Sequence, residues 1–536
     1  MTKSIMFGIS RLKLGAAAFA RRQTVLLSNI SSSQSFSTCR NYSSSTAGLQ
    51  QRFSDNRVFD SLRDSLPHVE FSTNPYELSR HGRGESHHPT QQPDVIVTPT
   101  NVDDVKTVVN FCVENKIPLV PFGVGTSVEG HVCCLHGGIS LDMRLFQSIE
   151  IPDVGGSDDD LFDPVATVGA GVTRMALNEA LRHTGLQFVV DPGADATLGG
   201  MVATGASGTT SVRYGTMREN LLQVECVVPS GIDGATVVQT GTRALKNSAG
   251  YDLLSLLCGS EGTLGVITSV SVKLHPIPDN VVAATCVFDS LKQAAQAVVA
   301  LKLCEIPLVR CELLDSMSIE AFNLYQRGGG NNESNNQVEA MEVKPTLFLE
   351  FHGPSEETLR EQVQMTELIC TDEHGGSDFK FTSGEEERKA LWSARHSLYY
   401  ASLSLRPGAR DALLTDACVP LSSFAELIEA TARDVEELGV VGPCFGHAGD
   451  GNFHCILPVL EEDSEDYTSR IHQVNENLIK RTLDVGGTCT GEHGVGYGKV
   501  KYLERQYGTG AVTMMRRIKE SIDPHDIMNP GKVVLR

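Results

Sequence analysis

The spacing of apolar residues changes along the chain, and each change marks an element. Asp94 to Gly130 reads DVIVTPTNVDDVKTVVNFCVENKIPLVPFGVGTSVEG. Val95 to Val97 is a short apolar run; Asn101 can then cap a helix on which Val102, Val105, Val108, Val109 and Cys112 recur at helical spacing. Ile117 to Val120 forms a second apolar run, and Ile139 to Leu141 a third beyond the loop Phe122 to Gly130. This pattern predicts a β-α-β unit whose second strand enters a glycine loop with no helix behind it. Val128 stands where a Rossmann turn needs its third glycine, which argues against an ordinary NAD site.

Further along, Val165 to Val168 reads as a strand and Thr173 to Arg182 as a helix. Asp191 to Thr216 then spreads Gly193, Gly199, Gly200, Gly205 and Gly208 among small residues, and GSEGTLGVITSVSVKL at Gly259 to Leu274 adds a third glycine turn feeding an alternating strand. Such stretches let backbone approach a large flat ligand and offer it N–H groups; close helix packing without a ligand leaves the same pattern. After Pro276 and Pro278 the texture changes, and a domain boundary is expected there. Beyond it come a helix at Ser290 to Cys304, a polar loop at Arg327 to Gln337, a strand at Thr346 to Phe351 and one helix over Glu385 to Leu405. Arg395 and Tyr399 share a face of that helix, although a lone helical arginine is usually solvated.

Composition narrows the class. The chain has 536 residues, 40% hydrophobic and 21% charged, with a net charge of −21, which suits a multidomain globular enzyme and argues against a nucleic-acid partner. Its 14 cysteines include no CxxC pair. No apolar run is long enough for a transmembrane segment. Residues 1–54 lack Asp and Glu, are rich in serine and carry seven Lys or Arg, which predicts a mitochondrial transit peptide. Removing those seven charges would take −21 to −28.

Two motifs carry the candidate chemistry. In GHAGDGNFH, Gly446 to His454, an Asp450-Gly451 type I′ turn would set His447 opposite His454 on one hairpin face. A polar turn with two rim histidines fits this stretch equally well. Downstream, GTCTGEHGVGYGK presents Glu492 and His493 between glycines. His447, His454 and Glu492 together make a three-ligand divalent-metal site with positions left open, and His493 remains as a base. GYGK is not a phosphate loop, because Val500 follows Lys499 where Ser or Thr is required.

With PFGVGTSVEGH, DPGADATLGG, GSEGTLGVIT, GHAGDGNFH, TGEHGVG and NPGK in this order, the chain resembles the FAD-linked D-2-hydroxy acid dehydrogenases of the vanillyl-alcohol-oxidase type. GTSVEGH and GEHGVG look more like the D-lactate and glycolate-oxidising branches than the D-2-hydroxyglutarate branch. The resemblance implies an α+β chain: residues 1–54 the transit peptide, 55–275 a two-part FAD-binding domain of vanillyl-alcohol-oxidase (PCMH) type, 276–520 an α+β substrate and metal domain, and 521–536 a segment returning to the flavin. It further implies that Gly123, Gly125, Thr126, Ser127, Glu129 and Gly130 hold the FAD pyrophosphate. Asp191, Pro192, Gly193, Thr197, Gly199, Gly200, Ala203, Ser207 and Gly208 would line the flavin; Glu261, Gly262 and Ile267 would meet the adenine half, and Asn529 would reach the isoalloxazine. His447, His454 and Glu492 match the ligands of a divalent metal, zinc or manganese; Arg395 and Asn452 match substrate contacts and His493 the base. Arg410 stands where that family leads one to expect a lysine.

The implied reaction oxidises D-lactate or a related D-2-hydroxy acid to its 2-oxo acid. Metal would chelate the hydroxyl and one carboxylate oxygen, Arg395 would pair with the carboxylate, His493 would take the proton and the flavin the hydride. A mitochondrial protein carrier such as cytochrome c would reoxidise the flavin. The rivals are D-2-hydroxyglutarate or glycolate dehydrogenase, a metallohydrolase built on the same three ligands, and a catalytically silent flavin-binding subunit.

Overall fold

The computed structural model describes residues 56–152, 162–229, 234–327 and 340–535. The expected transit segment lies outside these residues, as does the expected polar loop beyond Arg327, which itself ends the helix Ser316–Arg327.

The first apolar runs fold as their spacing predicts. Val95–Thr98 is a fully buried strand, and Asn101 caps the helix Val102–Asn115 by accepting from the Asp104 N–H. The following strand is Leu119–Phe122, two residues later than Ile117 to Val120. Lys116 takes a left-handed φ of 54°, so the Ile117 N–H closes onto the Cys112 carbonyl at 3.0 Å and belongs to the helix end. Val95–Thr98, Ile139–Asp142 and Leu119–Phe122 pair in parallel, with Glu70–Ser72 antiparallel at one edge. A second, antiparallel sheet orders Ile149–Glu150, Val165–Gly169, Val266–Lys273, Leu221–Val228 and Thr236–Gly241.

The third sheet decides the chemistry. Its path runs Ser377–Thr382, Asn280–Val287, Thr346–Gly353, Leu308–Leu314, Cys444–His447, Asn452–Val459 and Asp411–Leu414, with Ala417–Cys418 paired on Asn452–Val459. Residues on alternate positions of a strand point to opposite faces. Cys311, Leu313, Leu347, Leu349, Phe351, Cys444, Phe453, Cys455 and Leu457 enter a core shared with residues of the helices Leu291–Leu303, Glu356–Leu368, Leu421–Glu437 and Glu465–Asp484. Burying each large apolar side chain contributes about 1.5–3 kcal/mol, so this face fixes how the sheet sits. The residues between them, Arg310, Glu312, Glu350, His352, His447 and His454, therefore all face the other way.

Two expectations change here. Phe445 pairs with His454, so His447 is not directly opposite it. Ala448–Asp450 winds one 3-10 turn, closed by the Gly451 N–H on the Ala448 carbonyl at 3.2 Å, and Gly451 takes the left-handed φ of 75°. That connection is longer than a two-residue turn and shifts the register by two. A shift of two keeps the face: His447 and His454 stand diagonally, ring centroids 5.9 Å apart. The second change splits the expected helix Glu385 to Leu405 into Glu385–His396 and Leu398–Ser404. The Ser397 hydroxyl bonds back to the Ala394 carbonyl at the break.

The chain end returns to the amino-terminal sheet. Helix Val500–Ile522 is kinked at Gly508; after it the Leu119 N–H bonds to the Ile527 carbonyl at 2.7 Å and the Asn529 N–H to the Leu119 carbonyl at 2.8 Å.

Candidate active site

A cavity of about 590 Å³ lies between the glycine turns and the polar face of the third sheet. Gly123, Gly125, Thr126, Ser127, Asp191, Pro192, Gly193, Thr197, Gly199, Gly200, Ala203, Ser207, Gly208, Glu261, Gly262, Ile267 and Asn529 all line it. So do Arg395, His447, His454, Glu492 and His493 from the other side. The glycine wall is close-packed behind: a Cβ on Gly199 would stand 2.6 Å from the Ala170 Cβ, and one on Gly123 2.5 Å from the Thr197 hydroxyl. The buried Ser127 Oγ has no hydrogen-bond partner among the described residues. A cavity with a glycine-rich wall and an unpartnered hydroxyl fits a flat dinucleotide such as FAD.

Three expected contacts lie elsewhere. Glu129 is buried against Lys499, 3.0 Å away, and Gly130 lies against the Tyr497 ring; neither lines the cavity. Asn452 does not line it either, because its amide donates to Asp416 at 2.8 Å and to the Ala417 carbonyl at 3.1 Å. Two others line the cavity with their carboxylates already engaged. Glu261 accepts from the Val495 and Gly496 N–H groups at 2.6 and 2.7 Å. Asp191 accepts from Thr209 and Thr210 and meets Arg310 at 3.1 Å, tying the glycine wall to the third sheet. Arg410 is exposed and outside the lining.

Two buried carboxylates hold the reactive groups, and sequence reading missed both. Glu312, 0% exposed, accepts from Arg395 Nε at 2.6 Å and from His447 Nδ1 at 2.6 Å. Burial would raise its pKa, but the Arg395 guanidinium and His447 hold it at about 2. Asp416, also 0% exposed, gathers the N–H groups of Gly491, Glu492 and His493 at 2.7, 3.0 and 2.9 Å and so shapes the TGEHG loop. Burial opposes its ionisation too, yet His493 and Lys499 keep its pKa low. The available signal was a carboxylate within each buried strand-like run, LVRCELL and LLTDAC, where an acid survives only with partners.

His447 and His454 each turn Nε2 toward Glu492 Oε1, at 3.2 and 3.0 Å. The Nδ1 atoms are engaged behind, His447 on Glu312 and His454 on the Thr415 carbonyl at 3.1 Å. With both Nδ1 atoms donating, three lone pairs converge, a donor set that demands a cation or a proton. Burial lowers the His447 pKa, but Glu312 and Glu492 outweigh it and raise the value well above normal. Around the loop, Glu312 pairs with Arg395 and Glu129 with Lys499, which also lies 3.7 Å from Asp416, while Glu492 meets only the two imidazoles among the described ion pairs. His447, His454 and Glu492 thus could hold a divalent ion. Asp416, His454 and His493 are also close together, but Asp416 Oδ2 already accepts from Thr490, Gly491, Glu492 and His493, and Oδ1 from Asn452. His493 stacks on His454 with ring centroids 4.8 Å apart, and its buried Nδ1 has no hydrogen-bond partner among the described residues. Burial lowers its pKa to about 4.

Residues 93–232 match the FAD binding domain family and residues 277–533 the C-terminal domain of FAD linked oxidases. Fold and site together define a two-domain flavoprotein oxidoreductase. Substrate-bound p-cresol methylhydroxylase shares the fold at TM-score 0.71, over 90% of this chain and 96% of that one at 16% identity. The 4-ethylphenol oxidase of Gulosibacter chungangensis does so at 0.69, over 90% and 97% at 17% identity. The sequence is 43% identical to the probable mitochondrial D-lactate dehydrogenase of Danio rerio, over 92% of this chain and 94% of the relative. It is 41% identical to the mitochondrial D-lactate dehydrogenase (cytochrome) of Arabidopsis thaliana, over 85% and 76%. The chain belongs to the FAD-linked D-lactate dehydrogenase family.

Proposed function

We propose that this mitochondrial protein oxidises D-lactate and related 2-hydroxy monocarboxylic acids to 2-oxo acids, using FAD on the glycine wall and a zinc or manganese ion held by His447, His454 and Glu492. The observation that carries the reading is the convergence of two imidazole Nε2 atoms on Glu492 Oε1 in the cavity that the glycine turns also line. When bound, FAD supplies a hydride acceptor and the ion a Lewis acid for the substrate hydroxyl.

The chain's own residues do the rest. Arg395 binds the substrate carboxylate: Nε is fixed on Glu312 and its guanidinium carbon lies 4.8 Å from the centre of the Phe445 ring, so the terminal nitrogens are presented to the cavity. His493 is neutral at physiological pH and takes the hydroxyl proton on its ring. The C2 hydrogen leaves toward the glycine wall. Leu414, Phe445 and Ile456 give the same cavity an apolar side that suits a methyl or short alkyl group on C2. Arg395 is the only arginine or lysine among the described lining residues, and Glu85 adds a carboxylate, so a second acid group would meet no cation. This favours D-lactate over D-2-hydroxyglutarate.

Electrons pass to a protein carrier such as cytochrome c; the acidic chain suits a basic partner. The test is a purified flavin-bearing protein assayed with a panel of D-2-hydroxy acids and cytochrome c. Lactate-dependent flavin bleaching and cytochrome reduction support the reading. A colourless protein, or preference for 2-hydroxyglutarate, refutes it.

A further inference from the structure

We propose that Glu312 is a positioning residue that couples substrate recognition to cation binding, by holding Arg395 and the protonation pattern of the His447 ring with one carboxylate. The inference rests on the cation reading above and deepens it.

The argument is one of donors and acceptors. Ionised glutamate only accepts and arginine only donates; a neutral imidazole donates from one nitrogen and accepts at the other. Glu312 is fully buried, with one oxygen 2.6 Å from Arg395 Nε and the other 2.6 Å from His447 Nδ1. Its grip on Nδ1 obliges His447 to keep a proton there, so a cation that displaces the other ring proton finds the lone pair on Nε2, on the side of Glu492 3.2 Å away. Its grip on Nε leaves the two terminal nitrogens of Arg395 for an incoming carboxylate. Nothing else does the second job: no other described carboxylate is paired with Arg395. The strand register makes the arrangement possible, since Glu312 and His447 are direct partners across Leu308–Leu314 and Cys444–His447. Cation and substrate carboxylate are therefore aligned by the same side chain.

Glutamine at this position separates the possibilities. It is nearly isosteric, but its single carbonyl must accept from Arg395, so its NH2 faces His447 Nδ1. That nitrogen then has to accept, the ring proton moves to Nε2, and the ligand lone pair is lost. The experiment uses flavin-loaded protein stripped with a chelator and titrated with Zn2+ or Mn2+ against a chromophoric competitor, together with steady-state D-lactate kinetics at saturating cation. For Glu312→Gln the expected result is cation affinity weaker by about 10–100-fold and a raised KM for D-lactate, with flavin content unchanged. Glu312→Asp keeps an accept-only carboxylate but is one methylene short of its two 2.6 Å contacts, so it should lose cation affinity measurably, though less than Gln. Arg395→Lys keeps a cation on Glu312 but loses the paired terminal nitrogens, so it should raise KM while leaving cation affinity at the wild-type value.

Cation affinity and KM both unchanged in Glu312→Gln overturn the proposal, as does a larger affinity loss for Asp than for Gln. Wild-type protein that takes up no cation removes the cation reading first, and the proposal with it. Should the Gln variant not fold, the Asp and Arg395 variants carry the comparison alone: unchanged cation affinity in the Asp variant refutes the coupling.

Discussion

The two walls of the cavity are built in opposite ways. The glycine wall works by omission, with backbone brought close because side chains are missing; Gly199 touches Ala170 so closely that a single methyl has no room. The histidine wall works by addition, with polar groups on alternate strand positions and buried carboxylates behind them. One wall shapes space and the other directs charge. Damage should follow that division: changes in the first cost stability and flavin retention, while changes in the second cost chemistry with the flavin still in place.

The largest break should come from Glu492→Gln, which replaces the carboxylate on which both Nε2 atoms converge with a neutral amide. Loss of a ligand to the proposed cation should lower D-lactate turnover about a thousandfold or more, with the flavin spectrum unchanged. A matching loss of flavin would erase the distinction between the walls. Next comes Gly199→Ala, whose Cβ would stand 2.6 Å from the Ala170 Cβ. It should destabilise the protein by about 1–3 kcal/mol, read by thermal unfolding and flavin release, while residual flavin-loaded protein keeps its KM.

Acidification probes the histidine wall alone. The His493 pKa is lowered, so the proposed base stays neutral down to about 4 and is lost only as pH falls through that value. At saturating cation, kcat/KM should therefore fall about tenfold per pH unit below the transition and stay level between there and neutrality. A limb near 6.5 would show that the ring is not desolvated in solution. The same shift adds stability that is full above about 6.5 and disappears toward pH 4. The smallest effect is expected from Glu85→Gln, which removes the wall carboxylate and should raise the D-2-hydroxyglutarate to D-lactate ratio of kcat/KM about threefold to tenfold. An unchanged ratio would take Glu85 out of the specificity account.

Several local signals were legible because cause and effect are neighbours in sequence. Asn101 caps its helix, Ser290 caps Leu291–Leu303, and the glycine segments line one cavity as their composition suggested. The register of the GHAGDGNFH hairpin was not legible, because the Ala448–Asp450 turn competes with an Asp-Gly turn of almost the same sequence. Glu129, Gly130 and Asn452 sit inside motifs whose neighbours do line the cavity, yet they face away, and no spacing rule distinguishes them.

Residue types and periodicities by themselves marked elements such as the strand Val95–Thr98 and the helix Val102–Asn115, and the segments of glycine turns that line the cavity. Only the tertiary structure decided what the buried carboxylates hold. Glu312 meets a histidine 135 residues away and Asp416 a loop 75 to 77 residues away. Hydrogen bonds act over about 3 Å, so a partner that distant along the chain is chosen by sheet register and by the packing that sets it.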